Sequence, residues 1–168
     1  MIESRAPREP LPDLVGSARP FVPVPDDGVD RVCRVYDGDT LTLLCRVAGR
    51  LATLQLRVRG IDAPELRCAA QKKCACLVRD VVRALLLGRE VRVVGDSLDK
   101  YGRLLGDVLL PGAANDETGT LSNFLMSRGL SRPYDGSSRL PWSPESLDAI
   151  STKAESVLAT LRLPAGED

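Results

Sequence analysis

Three parts of the sequence contain the residues best suited to chemistry. They are Asp37–Thr40 (DGDT), Arg57 with Ile61–Glu65 (IDAPE), and Asp99–Arg103 (DKYGR). They combine carboxylates with two guanidinium groups in a chain of 168 residues that contains no histidine. Carboxylate oxygens bind hard divalent cations, and guanidinium groups form paired hydrogen bonds with phosphate oxygens. This combination predicts metal-assisted cleavage of a phosphodiester.

Each of these residues has a predicted role. Asp39 and Asp62 lie at the ends of neighbouring predicted strands, from which both could reach one ion, and calcium and magnesium both accept such ligands. Glu65 follows Asp62 closely enough to hold a water molecule near the ion and remove its proton. Arg57 and Arg103 would bind the phosphate and stabilise the negative charge of its transition state.

Each segment also has a structural explanation when it is taken alone. Asp37–Gly38 could serve only to shape a hairpin. Asp62 and Glu65 have the spacing of a helix capping box, and Asp99–Arg103 is an acceptable polar turn between two strands. Only the joint occurrence of the three segments favours the functional interpretation.

The composition excludes several classes of enzyme. Without histidine, nucleases of the RNase A and HNH types, Ser-His-Asp hydrolases and the usual zinc hydrolases are excluded. The absence of a G-x-x-x-x-G-K-[ST] loop disfavours an NTPase. The formal net charge is zero, but residues 30–142 contain 18 Lys and Arg against 13 Asp and Glu, a net charge of +5. A polyanionic substrate therefore fits the central part of the chain.

Five cysteines, an odd number, do not indicate a disulfide framework, and we expect free thiols. Cys68, Cys74 and Cys76 lie close in sequence, but a structural zinc site needs a fourth ligand, so free thiols are favoured over a zinc site or a regulatory disulfide. Cys33 and Cys45 fall on predicted strands that pair, and we expect both to be buried and reduced.

The chain is expected to form one domain with two tails. Residues 1–29 are rich in proline, which predicts an extended or disordered arm. We expect residues 30–163 to form the folded domain and residues 164–168 to form a short C-terminal tail. No secretory signal or membrane-spanning stretch is recognisable. We therefore expect an intracellular protein that acts away from membranes.

The periodicity of apolar residues predicts the secondary structure. The β-rich runs are residues 31–36, 40–47, 51–61, 90–94 and 104–110. The helical segments are residues 72–87, residues 121–128 and a longer segment opened by Ser143 and Pro144. Gly38 would turn the first hairpin because glycine accepts a positive φ. The pattern favours an α+β fold dominated by β, a five-stranded OB-fold barrel with about three helices.

The three motifs, in this order and with these internal spacings, resemble the staphylococcal nuclease (thermonuclease) family. The resemblance extends over roughly residues 30–161 and implies the OB barrel. It also implies one calcium ion bound by Asp39, Asp62 and the main-chain carbonyl of Ala63. The bacterial prototype has threonine where this chain has Ala63, a change of little consequence if only the carbonyl binds. By the same resemblance, Glu65 would position or deprotonate the attacking water.

The resemblance also suggests substrate contacts. Arg57 and Arg103 would bind the phosphate, as the residue types already indicate. We assign Lys100 and Tyr101, which lie in the third motif, to substrate binding. Tyr134 lies in a stretch after Gly129 that is similar to the family's nucleotide-contacting region. It is therefore a further substrate-binding candidate.

Two functional hypotheses follow. The first is a monomeric calcium-dependent endonuclease of low sequence specificity that cleaves DNA and RNA, with Mg²⁺ as an alternative ion. The family resemblance implies that its products end in 3′-phosphate. The second is an inactive nuclease-like OB domain that only binds nucleic acid or a protein partner, as in Tudor-containing proteins. Such domains typically lose site carboxylates or arginines. This chain keeps all five, which are Asp39, Arg57, Asp62, Glu65 and Arg103.

Overall fold

A closed five-stranded barrel forms the centre of the protein. The computed structural model describes residues 25–26, 29–112 and 119–162. In chain order the elements are β1 (Asp30–Val35), β2 (Thr40–Val47), β3 (Arg50–Val58), β4 (Ile61–Asp62), α1 (Lys72–Leu86), β5 (Glu90–Leu98), β6 (Leu104–Leu109), α2 (Leu121–Ser127), β7 (Arg132–Pro133) and α3 (Pro144–Arg162). The predicted arm and tail lie almost entirely outside the described residues.

The barrel strands follow the order β1-β2-β3-β6-β5. β1, β2 and β3 form an antiparallel meander, and β3 pairs in parallel with β6. β5 pairs antiparallel with both β6 and β1 and so closes the barrel. Three helices accompany it, and none in the described part of the chain is long and apolar enough to cross a bilayer. The predicted OB-type barrel with three helices is confirmed.

The apolar periodicity places the core as predicted. Leu41, Leu43 and Cys45 of β2 are buried in alternation with less buried neighbours, as the period of a strand requires. α1 packs an apolar stripe against α3 and β1. The buried residues of that stripe are Cys74, Ala75, Val78, Val81, Val82 and Leu86. This core holds the turns of the barrel that carry the predicted site residues.

The third strand ends earlier than the sequence predicts. β3 stops at Val58, and the turn that follows includes Gly60 with φ 79°, a left-handed conformation that interrupts a strand. The chain then enters β4, which pairs antiparallel with β7 in a two-stranded ribbon that was not predicted. Asp62 therefore lies on this ribbon and not at the end of a barrel strand.

The cysteines agree with a reduced protein, with one difference from expectation. All five are free. Cys45 is buried as predicted, but the prediction that Cys33 is buried was wrong. The pairing of β1 with β2 shifts register between Val32 and Arg34. Cys33 directly follows buried Val32, so the alternation of β1 places it on the exposed face, and the β-bulge then returns Val35 instead of Arg34 to the core.

The glycine of the first turn is needed for close packing. The predicted reason, a positive φ, was wrong, because Gly38 is not among the glycines with positive φ. A β-carbon on Gly38 would lie 2.7 Å from Cγ1 of Val78 and 2.9 Å from Cβ of Ala63. Only a residue without a side chain lets this turn approach α1 so closely.

We expect Gly38→Ala to lower the free energy of unfolding by about 1–3 kcal/mol, because the added methyl group overpacks the contact with α1. Denaturant unfolding in a chelating buffer would measure the change. A double-mutant cycle with Val78→Ala provides the control, since that variant removes Cγ1 from the contact. An equal cost of Gly38→Ala in both backgrounds would contradict the packing explanation.

Candidate active site

The three predicted segments meet at one open cleft in the barrel surface. The cleft has a volume of ≈ 1410 Å³ and is lined by residues from all three, among them Asp37, Arg57, Glu65 and Arg103. Asp39 and Asp62 are buried, with 4% and 2% exposure. Asp39 contacts Arg57 and Asp62 contacts Arg139, and both arginines line the cleft. Most of the predicted site residues are therefore brought together.

Asp39 and Arg57 form a buried ion pair. Nη2 of Arg57 lies 3.3 Å from Oδ2 of Asp39, and both side chains are only 6% exposed. The amide of Ala63 donates a hydrogen bond to the same oxygen at 3.1 Å, and Oγ1 of Thr40 donates to Oδ1 at 3.0 Å. Burial limits screening of this pair by water. The contacts join the first two sequence segments directly.

Arg57 also stabilises the turn between β3 and β4. Nη1 donates to the carbonyl oxygen of Val58 at 2.6 Å, and Nη2 donates to that of Ile61 at 2.8 Å. The planar, forked guanidinium can bridge several acceptors in this way, whereas a lysine ammonium carries one compact charge. Arg57 therefore has a structural role in addition to its position on the cleft.

Asp62 is enclosed by two arginines to which the sequence analysis gave no role. Nε and Nη2 of Arg132 donate to Oδ2 at 3.0 and 2.7 Å. Nε of Arg139 lies 3.3 Å from Oδ1. Even so, Oδ1 is buried and has no hydrogen-bond partner among the described residues. The charge of Arg139 partly compensates this buried oxygen, which can still accept a hydrogen bond from a further donor or contact a cation.

Glu65 lies at the cleft with its side chain 44% exposed, so it can contact both substrate and water. Nη1 of Arg139 contacts its Oε1. The capping-box alternative is excluded, because α1 begins at Lys72, well after Glu65. The amide of Glu65 donates instead to Oε1 of Gln71 at 2.8 Å. The side chain of Gln71 therefore positions the backbone that carries Glu65.

A hard divalent cation at this site would have few protein carboxylates to hold it. The described residues contain no group of three or more His, Cys, Asp or Glu that could hold a metal ion. An ion would depend on Asp39 and Asp62, on a main-chain oxygen such as that of Ala63, and on water, a donor set that calcium accepts. The unsatisfied Oδ1 of Asp62 supports this fit. Arg139, beside the same oxygen, would compete with the ion.

Asp37 lies in the same turn as Asp39 and is 8% exposed. Burial, followed by repulsion from the neighbouring Asp39, raises the pKa of Asp37 to about 7. Its Oδ1 accepts a hydrogen bond from the amide of Asp39 at 3.3 Å. Asp37 thus helps to shape the turn that carries Asp39.

Arg103 lies on the cleft but pairs with Asp99 and not with the buried carboxylates. Its Nε and Nη2 both lie 2.7 Å from Oδ2 of Asp99. Burial favours a higher pKa for Asp99, but the hydrogen bonds from Arg103 and from the amide of Tyr101 together lower it. Asp99 therefore stays ionised at neutral pH and orients the guanidinium of Arg103.

The predicted substrate-binding residues also line the cleft. Tyr101 is 72% exposed, and its ring lies 5.2 Å from Nζ of Lys100 and 5.4 Å from the guanidinium of Arg103. Tyr134 directly follows β7, and its ring lies 6.0 Å from the guanidinium of Arg57 and 5.6 Å from that of Arg139. Aromatic rings beside phosphate-binding cations are suited to stacking with bases.

Sequence reasoning missed three residues that shape the site, Arg132, Arg139 and Gln71. Arg132 lies on β7, the short strand that periodicity could not reveal. Arg139 lies in an irregular loop between β7 and α3, where its only sequence signal is a lone cation among small polar residues. Gln71 precedes α1 without capping it through its side chain. Their roles depend on distant partners and leave no local pattern.

The fold and the site define a class of small OB-type barrel proteins with buried carboxylates and arginines at one cleft. Residues 55–156 match the sequence model of the family described as Staphylococcal nuclease homologue. The chain belongs to this family. Arg57, Asp62, Glu65 and Arg103 lie within the matched range. Asp39 precedes it, and its place in the site follows from its contacts.

Two relatives illustrate the similarity. An uncharacterized endonuclease of Escherichia coli is 30% identical over 105 residues, which are 62% of this chain and 60% of that protein. The micrococcal nuclease of Shigella flexneri is 34% identical over 90 residues, which are 54% of this chain and 47% of that protein. The chain therefore spans only about half to three fifths of the curated relatives it matches.

Proposed function

We propose that this protein is a metal-dependent endonuclease. Its substrates would be DNA and RNA, cleaved with low sequence specificity to leave 3′-phosphate ends, and its ion would be Ca²⁺. The observation that carries the proposal is the buried ion pair of Asp39 with Arg57, which contacts the backbone on either side of buried Asp62. Glu65 and Arg103 line the cleft beside it. Family membership supports the same reaction class.

Asp39, Asp62 and the main-chain carbonyl of Ala63 would hold the ion. When bound, a hard divalent cation supplies positive charge that stabilises the additional negative charge of the reacting phosphate. Two carboxylates and neutral oxygens are a donor set that Ca²⁺ accepts and that Mg²⁺ can also use. The buried, unsatisfied oxygen of Asp62 supports this assignment.

The side chains of the cleft would perform the remaining chemistry. Glu65 would accept a proton from a water molecule as the water oxygen forms a bond to phosphorus. The bond from phosphorus to the 5′-oxygen then breaks, and that oxygen takes a proton from solvent. Arg57 and Arg103 would donate hydrogen bonds to the phosphate oxygens, where charge accumulates. The products are a 3′-phosphate and a 5′-hydroxyl.

The charge of the cleft supports a polyanionic substrate without base-specific readout. Seven cationic residues line it against four acidic ones, and Asp37 is partly protonated at neutral pH. The cationic residues are Arg34, Arg57, Arg59, Arg67, Lys100, Arg103 and Arg139. Contacts with phosphates carry no sequence information, so we expect similar cleavage of unrelated sequences.

The proposal is tested by incubating the purified protein with plasmid DNA and with single-stranded RNA, in calcium, in magnesium or in chelator. We expect cleavage of both polymers in calcium and none in chelator. Phosphatase treatment of the products, followed by end-labelling, identifies the position of the terminal phosphate. Tight binding without cleavage in any metal would overturn the proposal and favour the binding-only alternative.

Arg139→Gln is expected to strengthen calcium binding about two- to fivefold. The guanidinium of Arg139 contacts carboxylate oxygens of buried Asp62 and of Glu65. Because Arg139 is itself 36% exposed, water screens these contacts, and we expect them to contribute up to about 1 kcal/mol. Calorimetric titration with Ca²⁺, without substrate, measures the effect. Arg92→Gln removes an exposed cation of β5 that does not line the cleft and serves as the control. Weaker calcium binding by Arg139→Gln would show that Arg139 does not compete with the ion.

A further inference from the structure

A second groove continues the cleft along the side of the barrel. It has a volume of ≈ 320 Å³. Arg34, Tyr36 and Leu66 line both the cleft and this groove, so the two cavities share a border. Arg79 and Arg83 of α1 line the groove but not the cleft. A ligand that leaves the cleft over Tyr36 therefore reaches these two arginines.

The groove carries an excess of positive charge. Arg34, Arg79 and Arg83 face it, and none of the described residues that line it is acidic. Asp80 lies nearby on α1, 2.9 Å from Arg79 and 3.9 Å from Arg83. Arg34 is exposed and has no ion-pair partner within the described ranges. One carboxylate thus offsets three guanidinium groups, which leaves the groove attractive to an anion.

An oriented aromatic ring separates the cleft from the groove. Nε of Arg67 donates a hydrogen bond to the hydroxyl of Tyr36 at 3.0 Å, and its guanidinium lies 5.8 Å from the ring centre. These two contacts hold the ring of Tyr36 at the shared border. A fixed aromatic surface between cationic sites is suited to stacking with a base while the neighbouring phosphates contact arginines.

We propose that this groove is a second binding subsite, for the sugar-phosphate backbone of single-stranded nucleic acid that extends beyond the reacting phosphate. The inference rests on the proposed function, because it extends the path of the same substrate. Arg79 and Arg83 are four residues apart on α1 and so about 6 Å apart along its axis, which allows contacts with neighbouring phosphates. The strand runs from the cleft across Tyr36 to these arginines.

The test compares two double variants of α1 that remove the same charge. Arg79→Gln with Arg83→Gln alters the groove, whereas Lys72→Gln with Lys73→Gln removes two exposed cations of the same helix that line neither cavity. Binding of fluorescent oligothymidylates of about four and about twelve nucleotides is measured by anisotropy. The measurement is made in chelator, so it requires no cleavage.

We expect the arginine double variant to bind the longer oligonucleotide about 10- to 30-fold more weakly at about 0.1 M salt, and the slope of log affinity against log salt to fall by about 1.4. Binding of the shorter oligonucleotide should not change. The lysine double variant should show neither effect. Arg83→Gln alone, which alters a half-exposed side chain, gives a smaller effect in the same direction and covers the case that the double variant does not fold.

Several results would overturn the subsite. One is an equal loss of affinity for the short and the long oligonucleotide in the arginine double variant. Another is an equal loss of affinity in the arginine and lysine double variants. The third is a wild-type affinity that does not rise with the length of the oligonucleotide. None of these results depends on catalysis. A protein that binds as expected but never cleaves would instead overturn the proposed function and leave the subsite in place.

Discussion

The Glu65→Gln variant is expected to cleave DNA about 10³-fold more slowly than the wild type in saturating calcium. Glutamine keeps the size and polarity of glutamate but cannot accept the proton of the attacking water, and general-base catalysis contributes about 10²- to 10⁴-fold to a rate. The loss should appear in kcat, with a smaller change in KM, because Arg57 and Arg103 still bind the phosphate. Initial rates on a fluorogenic oligonucleotide measure it.

Two controls isolate the role of the carboxylate. Glu155→Gln removes an exposed carboxylate of α3 that does not line the cleft, and it should cleave at the wild-type rate. Calcium titration of Glu65→Gln shows whether the ion still binds, since Glu65 is not among the proposed ligands. If Glu65→Gln binds calcium normally and cleaves at the wild-type rate, Glu65 is not the base.

Arg57→Gln is expected to lower the free energy of unfolding by about 3 kcal/mol and also to abolish detectable cleavage. The substitution leaves Asp39 as a buried, uncompensated charge and removes the hydrogen bonds to the carbonyl groups of Val58 and Ile61. Removing one partner of a buried ion pair costs about 3–5 kcal/mol. Urea unfolding in chelator measures the loss without any contribution from bound metal.

Arg103→Gln is the matched comparison, because resemblance assigns the same phosphate-binding role to Arg103. Its side chain is 24% exposed and pairs with a partner on the same turn, so its removal should cost about 1 kcal/mol or less. Its cleavage rate should nevertheless fall about 10²- to 10³-fold. Equal stability losses for the two variants would contradict the structural role of Arg57.

Arg57→Lys keeps the charge but cannot make the forked contacts. It covers the case that Arg57→Gln is too unstable to purify. We expect it to retain part of the stability that Arg57→Gln loses and to remain strongly impaired in cleavage. A variant with wild-type stability and wild-type cleavage would show that the charge alone suffices at this position.

The sequence by itself determined the architecture of the barrel. Strand and helix periods are local properties, because each reports which face of one element is buried. The alternation in β2 and the apolar stripe of α1 therefore predicted their burial correctly. The order of the three motifs was also sufficient to indicate the family. It also predicted that Asp39, Arg57, Asp62, Glu65 and Arg103 belong to one site.

Only the tertiary structure decided how these side chains are held. Gly38 is required by its contact with α1, and no local pattern reports such a contact. The turn at Gly60 places Asp62 on a ribbon with β7, where Arg132 and Arg139 surround it. Tertiary contacts also distinguish the two phosphate-binding candidates. Arg57 is buried in an ion pair with Asp39, whereas Arg103 is more exposed and pairs with Asp99. Long-range packing and electrostatics depend on residues far apart in the chain, so only the folded structure reveals them.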